Sequence, residues 1–380
     1  MSKAVIAGLG IHKFGRFGDK PYTDIGLEAV IMALRDAAIE WPEVQAAYCG
    51  RMYLPPTTGV RILTQLGRTG IPIVDVEAAC AAGGVALKEA QRAISSGEYD
   101  IVLALGVEKM PRGFMSPEAI YDHWECLVGL SQNPMYWALE AQRYMHDYGL
   151  TIEQLGKVSV KSHKNGALNP YAMHQKPMTL EEIINSRIIN DPIRLFMLCS
   201  PDEGAAAAVV CSEKVARKLT AKPLTIEACA LRTCKYPFAQ PPAYTYGTAV
   251  MNRFVTALAG AEAYEAAGIG PEDIDVAEVQ DGDAFNEIVA YEDLGFCKEG
   301  EGGHLIDEGV TEIGGRLPVN TRGGLIACGE PVGASHLGQV FEIGMQLRGE
   351  AGPRQVEGAK VGLAHVWGAG GNSAVTILKR

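Results

Sequence analysis

The chain has 380 residues, of which 47% are apolar and 21% charged, and its formal net charge is −11. That length supplies an extensive core for one large domain or two closely packed halves. Acidic charge spread along the chain excludes an electrostatic nucleic-acid binder. No apolar run approaches the roughly 20 residues that span a bilayer. The opening Met1-Ser2-Lys3-Ala4-Val5-Ile6 enters a strand without a secretory cleavage pattern. A cytoplasmic protein that binds neither nucleic acid nor membrane is expected.

Val5 to Gly10 reads as a strand, Asp24 to Ile39 as an amphipathic helix, and Ala46 to Met52 and Ile71 to Val76 as strands. Val85 to Ile94 reads as a helix and Ile101 to Val107 as a buried strand. The alternation predicts a mostly parallel, covered sheet. From about residue 110 to 190 it gives way to an aromatic-rich stretch with Tyr121, Trp124, Tyr136, Trp137, Tyr144 and Tyr148. A structured excursion of this kind in an α/β domain reads as a lid or binding segment.

Ala205 to Cys211 returns to the sheet, and the alternation resumes after Pro223. Leu224 to Leu231, Val276 to Val279, Val361 to Val366 and Ala374 to Leu378 are expected strands. Asn252 to Ala267, Ala284 to Leu294 and His336 to Arg348 are expected helices. Two similar α/β halves, 1–220 and 221–380, follow, with the excursion of about 110–190 inserted in the first.

Nine cysteines, an odd number without a Cys-x-x-Cys pair, fit neither a disulfide framework nor a zinc ribbon. Most are expected to be reduced packing residues, with no metal held by this chain. Cys80 differs in context. It follows a strand and precedes Ala81-Ala82-Gly83-Gly84 and a helix, where backbone N–H groups and the helix dipole stabilise a thiolate. Small neighbours leave room for a thioester carbonyl. A cysteine nucleophile also needs a base from elsewhere in the fold. Two glycine-rich segments offer candidates: Asn320-Thr321-Arg322-Gly323-Gly324 running on to Gly329-Glu330-Pro331-Val332-Gly333-Ala334-Ser335-His336, and His365-Val366-Trp367-Gly368-Ala369-Gly370-Gly371. Their N–H groups suit an oxyanion hole, and tight turns explain the same glycines. His365 reads equally as a core histidine.

In order, Glu77-Ala78-Ala79-Cys80-Ala81-Ala82-Gly83-Gly84, Lys161-Ser162-His163-Lys164-Asn165-Gly166, Ser200-Pro201-Asp202-Glu203-Gly204, Asp283-Ala284-Phe285-Asn286, Asn320-Thr321-Arg322-Gly323-Gly324 and Gly329-Glu330-Pro331-Val332-Gly333 resemble the thiolase superfamily over the whole chain. The archaeal and sterol-carrier-protein-linked branch is the nearest. The resemblance implies an α/β thiolase fold: two pseudo-duplicated βαβαβ halves in a five-layer αβαβα sandwich, with the excursion as a loop domain over the acyl-CoA site. It implies an acyl-Cys80 thioester, with coenzyme A as substrate, and Gly333, Ser335, His336, Gly368 and Gly370 as coenzyme A-binding residues. A homodimeric core and a small OB-fold, zinc-ribbon partner subunit are implied by the resemblance alone.

Three departures bear on mechanism. The histidine of the family's Gly-His-Pro motif corresponds to Glu330, which can act as a base but donates a hydrogen bond only when protonated. The Asn or His that opens the next motif corresponds to Gly282, removing an oxyanion-hole contributor. The second cysteine of biosynthetic thiolases is absent, and Val366 follows His365 where the branch has Asn, which leaves His365 as the best remaining acid/base candidate, with His336 and Cys328 as neighbours that could compensate. The expected activity is cleavage or formation of a 3-oxoacyl-CoA, with a bulky or aromatic acyl group such as that of benzoylsuccinyl-CoA suggested by the aromatic stretch. The alternatives are a thiolase-like aldolase, an acyltransferase with a phenolic acceptor, and a non-catalytic scaffold subunit.

Overall fold

The computed structural model describes residues 3–113, 123–127, 132–219, 222–235, 252–369 and 371–380. Tyr121, Gly370 and parts of the aromatic excursion lie outside the described residues.

Strand β1 (Ala4–Gly15) opens the chain and α1 (Tyr22–Ala37) folds back along it. Its buried positions Ile25, Ala29, Val30, Ala33, Leu34 and Ala37 recur at three- and four-residue spacing, so one face covers the sheet. There follow β2 (Ala46–Gly50), α2 (Thr58–Leu63), β3 (Ile73–Val76), α3 (Ala82–Ser95) and β4 (Ile101–Lys109). The excursion holds α4 (His123–Leu127), α5 (Asn133–Tyr148), α6 (Ile152–Gly166), α7 (Leu180–Ile184) and a hairpin of β5 (Ile188–Asn190) and β6 (Ile193–Arg194).

Strand β7 (Glu203–Ser212), α8 (Glu213–Ala216) and β8 (Leu224–Thr233) return to the sheet. The remainder runs through α9 (Asn252–Ala267), β9 (Val276–Glu278), α10 (Ala284–Asp293), α11 (Gly302–Asp307) and α12 (Gly324–Cys328). It ends with α13 (Ser335–Arg348), β10 (Val361–Gly368) and β11 (Asn372–Lys379).

The strands form one hydrogen-bonded run in the order β3-β2-β4-β7-β1-β8-β11-β10-β9. Only β3/β2, β2/β4 and β10/β9 pair in parallel, and the other neighbours are antiparallel. The expected mostly parallel sheet is thus corrected to a mixed one. Strands such as β4 and β7 are buried on both faces, and a continuous apolar run reads the same in either direction. The short connection from β10 to β11 admits only an antiparallel pair.

Helices α3 and α13 pack on each other and on strands from both ends of the run, while α1 covers β1, β7 and β4 and α9 covers β8 and β11 from outside. Helix, sheet, helix, sheet, helix gives the five layers that the family resemblance implies. Leu87, Ile94 and Phe341 fill the central layer, Ile25 and Leu103 the outer layer under α1, and Phe285 and Leu363 the opposite side. Among the described residues no helix is long and apolar enough to cross a membrane.

Candidate active site

Cys80 stands in a single helical turn, Ala79–Ala81, that links β3 to α3. The preceding Ala79 has φ of +49°, an uncommon conformation for a non-glycine residue. Its N–H is held by Glu77 Oε1 at 2.6 Å, and Ala81 N–H by Ala78 O at 3.0 Å. The turn fixes the thiol just before the helix N-terminus, as its sequence context predicts. Burial pushes the Cys80 thiol well above its ordinary value, and the neighbouring Glu330 carboxylate pushes the same way. Hydrogen bonds from the backbone of Ala369 and of Cys80 itself oppose that shift. At rest Cys80 is therefore a thiol that needs a base.

Glu330 is brought to the same site by three segments that close on one another. Glu330 N–H donates to Ser200 O at 2.8 Å, Cys199 N–H donates to Gly282 O at 2.9 Å, and Pro201 and Glu330 form a bridge pair. Gly329 turns the chain with φ of +91°, and a Cβ there would lie 1.9 Å from Asp202 Oδ2, so only glycine fits beside that carboxyl. The Glu330 side chain accepts from Cys199 Sγ at 3.0 Å on Oε2 and from Gln280 Nε2 at 2.8 Å on Oε1, and Cys80 lines the same cavity. Burial, then the Glu330 charge, pushes the Cys199 thiol well up as well.

These groups line a cavity of about 770 Å³, counted to its open mouth. Its apolar wall includes Met52, Met110, Trp137, Leu198, Val332 and Trp367. Trp137, on α5, packs with Trp367 and Val255. Its indole edge would lie 2.8 Å from a Cβ on Gly282, so the aromatic ring takes the space left by that glycine. The indole Nε1 is buried, with no hydrogen-bond partner among the described residues. The other aromatics of the stretch divide: Tyr136 and Tyr144 are buried, Tyr144 against Phe285, whereas Trp124 and Tyr148 are exposed.

The remaining motifs are scaffolding for this site. Lys161 on α6 is buried in an ion pair with Glu287 and donates to Val319 O at 2.9 Å. Asn165 and Asn169 donate to the carbonyls of Asn320 and Arg322 at 3.1 and 3.0 Å. Arg322 Nε meets Glu278 at 3.0 Å, and Asp281 accepts from Leu325 N–H at 2.6 Å. The segment that leads to Glu330 is thereby fixed from both sides.

The structure brings Cys80 and Glu330 together but does not bring His365 to the cavity. Alternation along β10 turns Val366 toward Ala78 and Ala81 of the Cys80 turn, and His365 to the opposite face. There its ring pairs with Thr256 Oγ1 at 3.1 Å and accepts from Gln280 N–H at 3.5 Å. Burial lowers it to about 3, so it is held neutral. His336 and Ser335 also stand away from the cavity: α13 lies in the central layer, where His336 pairs with Thr376 Oγ1 at 2.8 Å and is likewise lowered by burial to about 3. Gly333 is pressed on the backbone of β4, its Cβ position 2.6 Å from Val107 O. Gly368 packs on the Cys80 turn, 2.6 Å from Ala78 O by the same measure. Neither glycine lines the cavity, and Gly370 lies outside the described residues.

Cys199 and Gln280 join the site unannounced by any motif of their own, whereas Trp137 belongs to the aromatic stretch expected to cover it. Cys199 adjoins the quoted Ser200-Pro201-Asp202 motif and Gln280 lies two residues before Gly282, which is the only local signal of either. Among the described residues no group of three or more metal-ligating side chains is present.

Residues 4–191 match the family model described as thiolase, N-terminal domain, and residues 247–380 the one described as thiolase C-terminal domain-like. The acetyl-CoA acetyltransferase of Methanothermobacter thermautotrophicus is 39% identical over the full length of both chains. The benzoylsuccinyl-CoA thiolase subunit BbsB of Thauera aromatica is 35% identical, covering 97% of this chain and 95% of its own. Among solved structures, a chain described as Ltp2-ChsH2(DUF35) aldolase superposes with a TM-score of 0.86 at 27% identity, covering 99% of this chain and 98% of that one.

Proposed function

The chain belongs to the thiolase family and is an acyltransferase of it, and from that premise we propose that it cleaves or forms a 3-oxoacyl-CoA through an acyl-Cys80 thioester, with coenzyme A as acceptor. The observation that carries this reading is the Cys80–Glu330 pair at the floor of an apolar cavity. Glu330 removes the thiol proton, the thiolate attacks the 3-oxo carbonyl, and the C2–C3 bond breaks to leave an acyl enzyme and an enolate. Coenzyme A then takes the acyl group in an exchange of thioesters. A bulky or aromatic acyl group is supported by Trp137 and Trp367 in the cavity wall and by the likeness to BbsB.

Retro-aldol chemistry is the second reading, favoured by the named activity of the Ltp2-ChsH2(DUF35) chain. Cys80 paired with a base is idle in that reaction and argues for acyl transfer. A small OB-fold, zinc-ribbon subunit is the proposed partner, supported by the two-component name of that structure and by the subunit designation of BbsB. A homodimeric core and a cytoplasmic site of action complete the proposal.

Purified protein incubated with acetoacetyl-CoA, benzoylsuccinyl-CoA and other 3-oxoacyl-CoAs is expected to gain an acyl mass on Cys80, absent in Cys80→Ser and discharged by coenzyme A. No adduct with any of them, with or without the partner subunit, would overturn the reading. Discharge by a phenol instead of coenzyme A would reassign the acceptor.

A further inference from the structure

Thiolysis needs an acid that protonates C2 of the departing enolate, and synthesis needs the same group as a base to remove a C2 proton. Among the described residues lining the cavity, only Cys80, Cys199 and Glu330 can titrate. Cys80 carries the acyl group during that step. His365 and His336 are sealed behind the cavity wall with their rings engaged.

We propose that Cys199 is a second catalytic thiol, which exchanges the C2 proton with the acyl-CoA and is recharged through Glu330. The inference rests on the thiolase reading of Cys80. It stands on geometry: Cys199 Sγ donates to Glu330 Oε2 at 3.0 Å, Gln280 fixes Oε1 at 2.8 Å, and Cys80 lines the same cavity as both. One carboxylate thus bonds the Cys199 thiol and faces the same cavity as Cys80, while Gln280 restricts its rotation.

The proton count closes. Glu330 takes the Cys80 proton as the thiolate adds to the 3-oxo carbonyl. When C2–C3 breaks, the electron pair moves to the enolate and Cys199 gives its proton to C2. Protonated Glu330 then returns a proton to the Cys199 thiolate. Coenzyme A enters as a thiol, Glu330 accepts its proton, and its sulfur displaces Cys80, which recovers that proton. No oxidant, reductant or metal takes part. Burial, which raises the Cys199 thiol, makes its thiolate a stronger base than a carboxylate for a weakly acidic C–H.

Wild type, Cys199→Ala and Cys199→Ser are each incubated with acetyl-CoA in D2O. The acetyl-Cys80 adduct is followed by intact mass, deuterium at C2 of acetyl-CoA by NMR, and acetoacetyl-CoA cleavage by absorbance. Both variants are expected to form the adduct within tenfold of the wild-type rate but to lose exchange and cleavage by about 10²- to 10⁴-fold. Serine keeps a donor to Glu330, and a retained adduct shows that each variant is folded. Exchange within threefold of wild type in Cys199→Ala, or equal loss of adduct and exchange in both variants, would overturn the assignment. Failure of wild type to form any adduct would instead bring down the thiolase reading on which it rests.

Discussion

The Trp137 indole lies where a side chain on Gly282 would project, 2.8 Å from a Cβ built there. Gly282→Ala therefore has to displace a ring that is only 6% exposed and that forms the cavity wall. Overpacking of this kind costs about 1–3 kcal/mol. The expected result is a lower denaturation midpoint and a raised KM, with Trp137→Phe in the same chain recovering part of the stability. Independent, additive losses in a double-mutant cycle would contradict the contact.

The charge on Glu330 helps to keep Cys80 protonated, against the sense of the base role proposed for its carboxylate. Glu330→Gln is expected to shift the pH profile of Cys80 alkylation by iodoacetamide to lower pH. Turnover should nevertheless fall by about 10²- to 10⁴-fold, because the proton acceptor is gone. An alkylation profile moved upward would show that Glu330 does not act on the thiol electrostatically.

His365→Gln separates the buried histidine from the chemistry. With His365 outside the cavity, kcat should change less than tenfold, against more than a hundredfold for Glu330→Gln. The variant should also flatten the acid limb of stability. The folded value is near 3 and the ordinary one 6.5, so the unfolded chain binds the extra proton between them. Stability is full above 6.5 and falls toward 3 by up to about 1.4 kcal/mol per pH unit. Urea titrations between pH 4 and 7 measure the slope; a hundredfold loss of kcat would restore His365 as an acid.

Glu140 on α5 works in the opposite sense. It is 3% exposed, and burial, with the Asp283 charge adding to it, raises it from 4.5 to about 8. The folded chain holds that proton more tightly, so stability is full below 4.5 and is lost as pH rises to about 8. Glu140→Gln should gain about 1–3 kcal/mol at pH 7 and little at pH 4.5. An equal effect at both pH values would show that ionisation of Glu140 is not the cause.

Much of this could be read from the chain alone, because its signals are local. Cys80 is marked by the strand, the small residues and the helix that follow one another around it, and Glu330 by a glycine-rich segment. Cys199 carries no such mark, becoming chemical only by meeting a residue 131 positions away, and Trp137 is marked only as one of an aromatic stretch, its place against Gly282 being set by the fold. A histidine near a glycine cluster draws attention, but His365 shares its face of β10 with Trp367 and stops two residues short of the cavity wall, held by Thr256 and Gln280. Strand direction was hidden for a related reason, since burial on both faces erases the alternation that distinguishes antiparallel strands.

The placement of β1 has a consequence for how the protein is made. Its neighbours in the sheet are β7, which begins at Glu203, and β8, which it meets only at Thr225 and Leu224. On the ribosome the segment Ala4–Ile11 therefore emerges with its apolar side chains and backbone edge unpaired, and waits until both partners have been synthesised. Nascent chains stopped before Glu203 should aggregate or bind chaperones, and chains released past Thr233 should bury this strand.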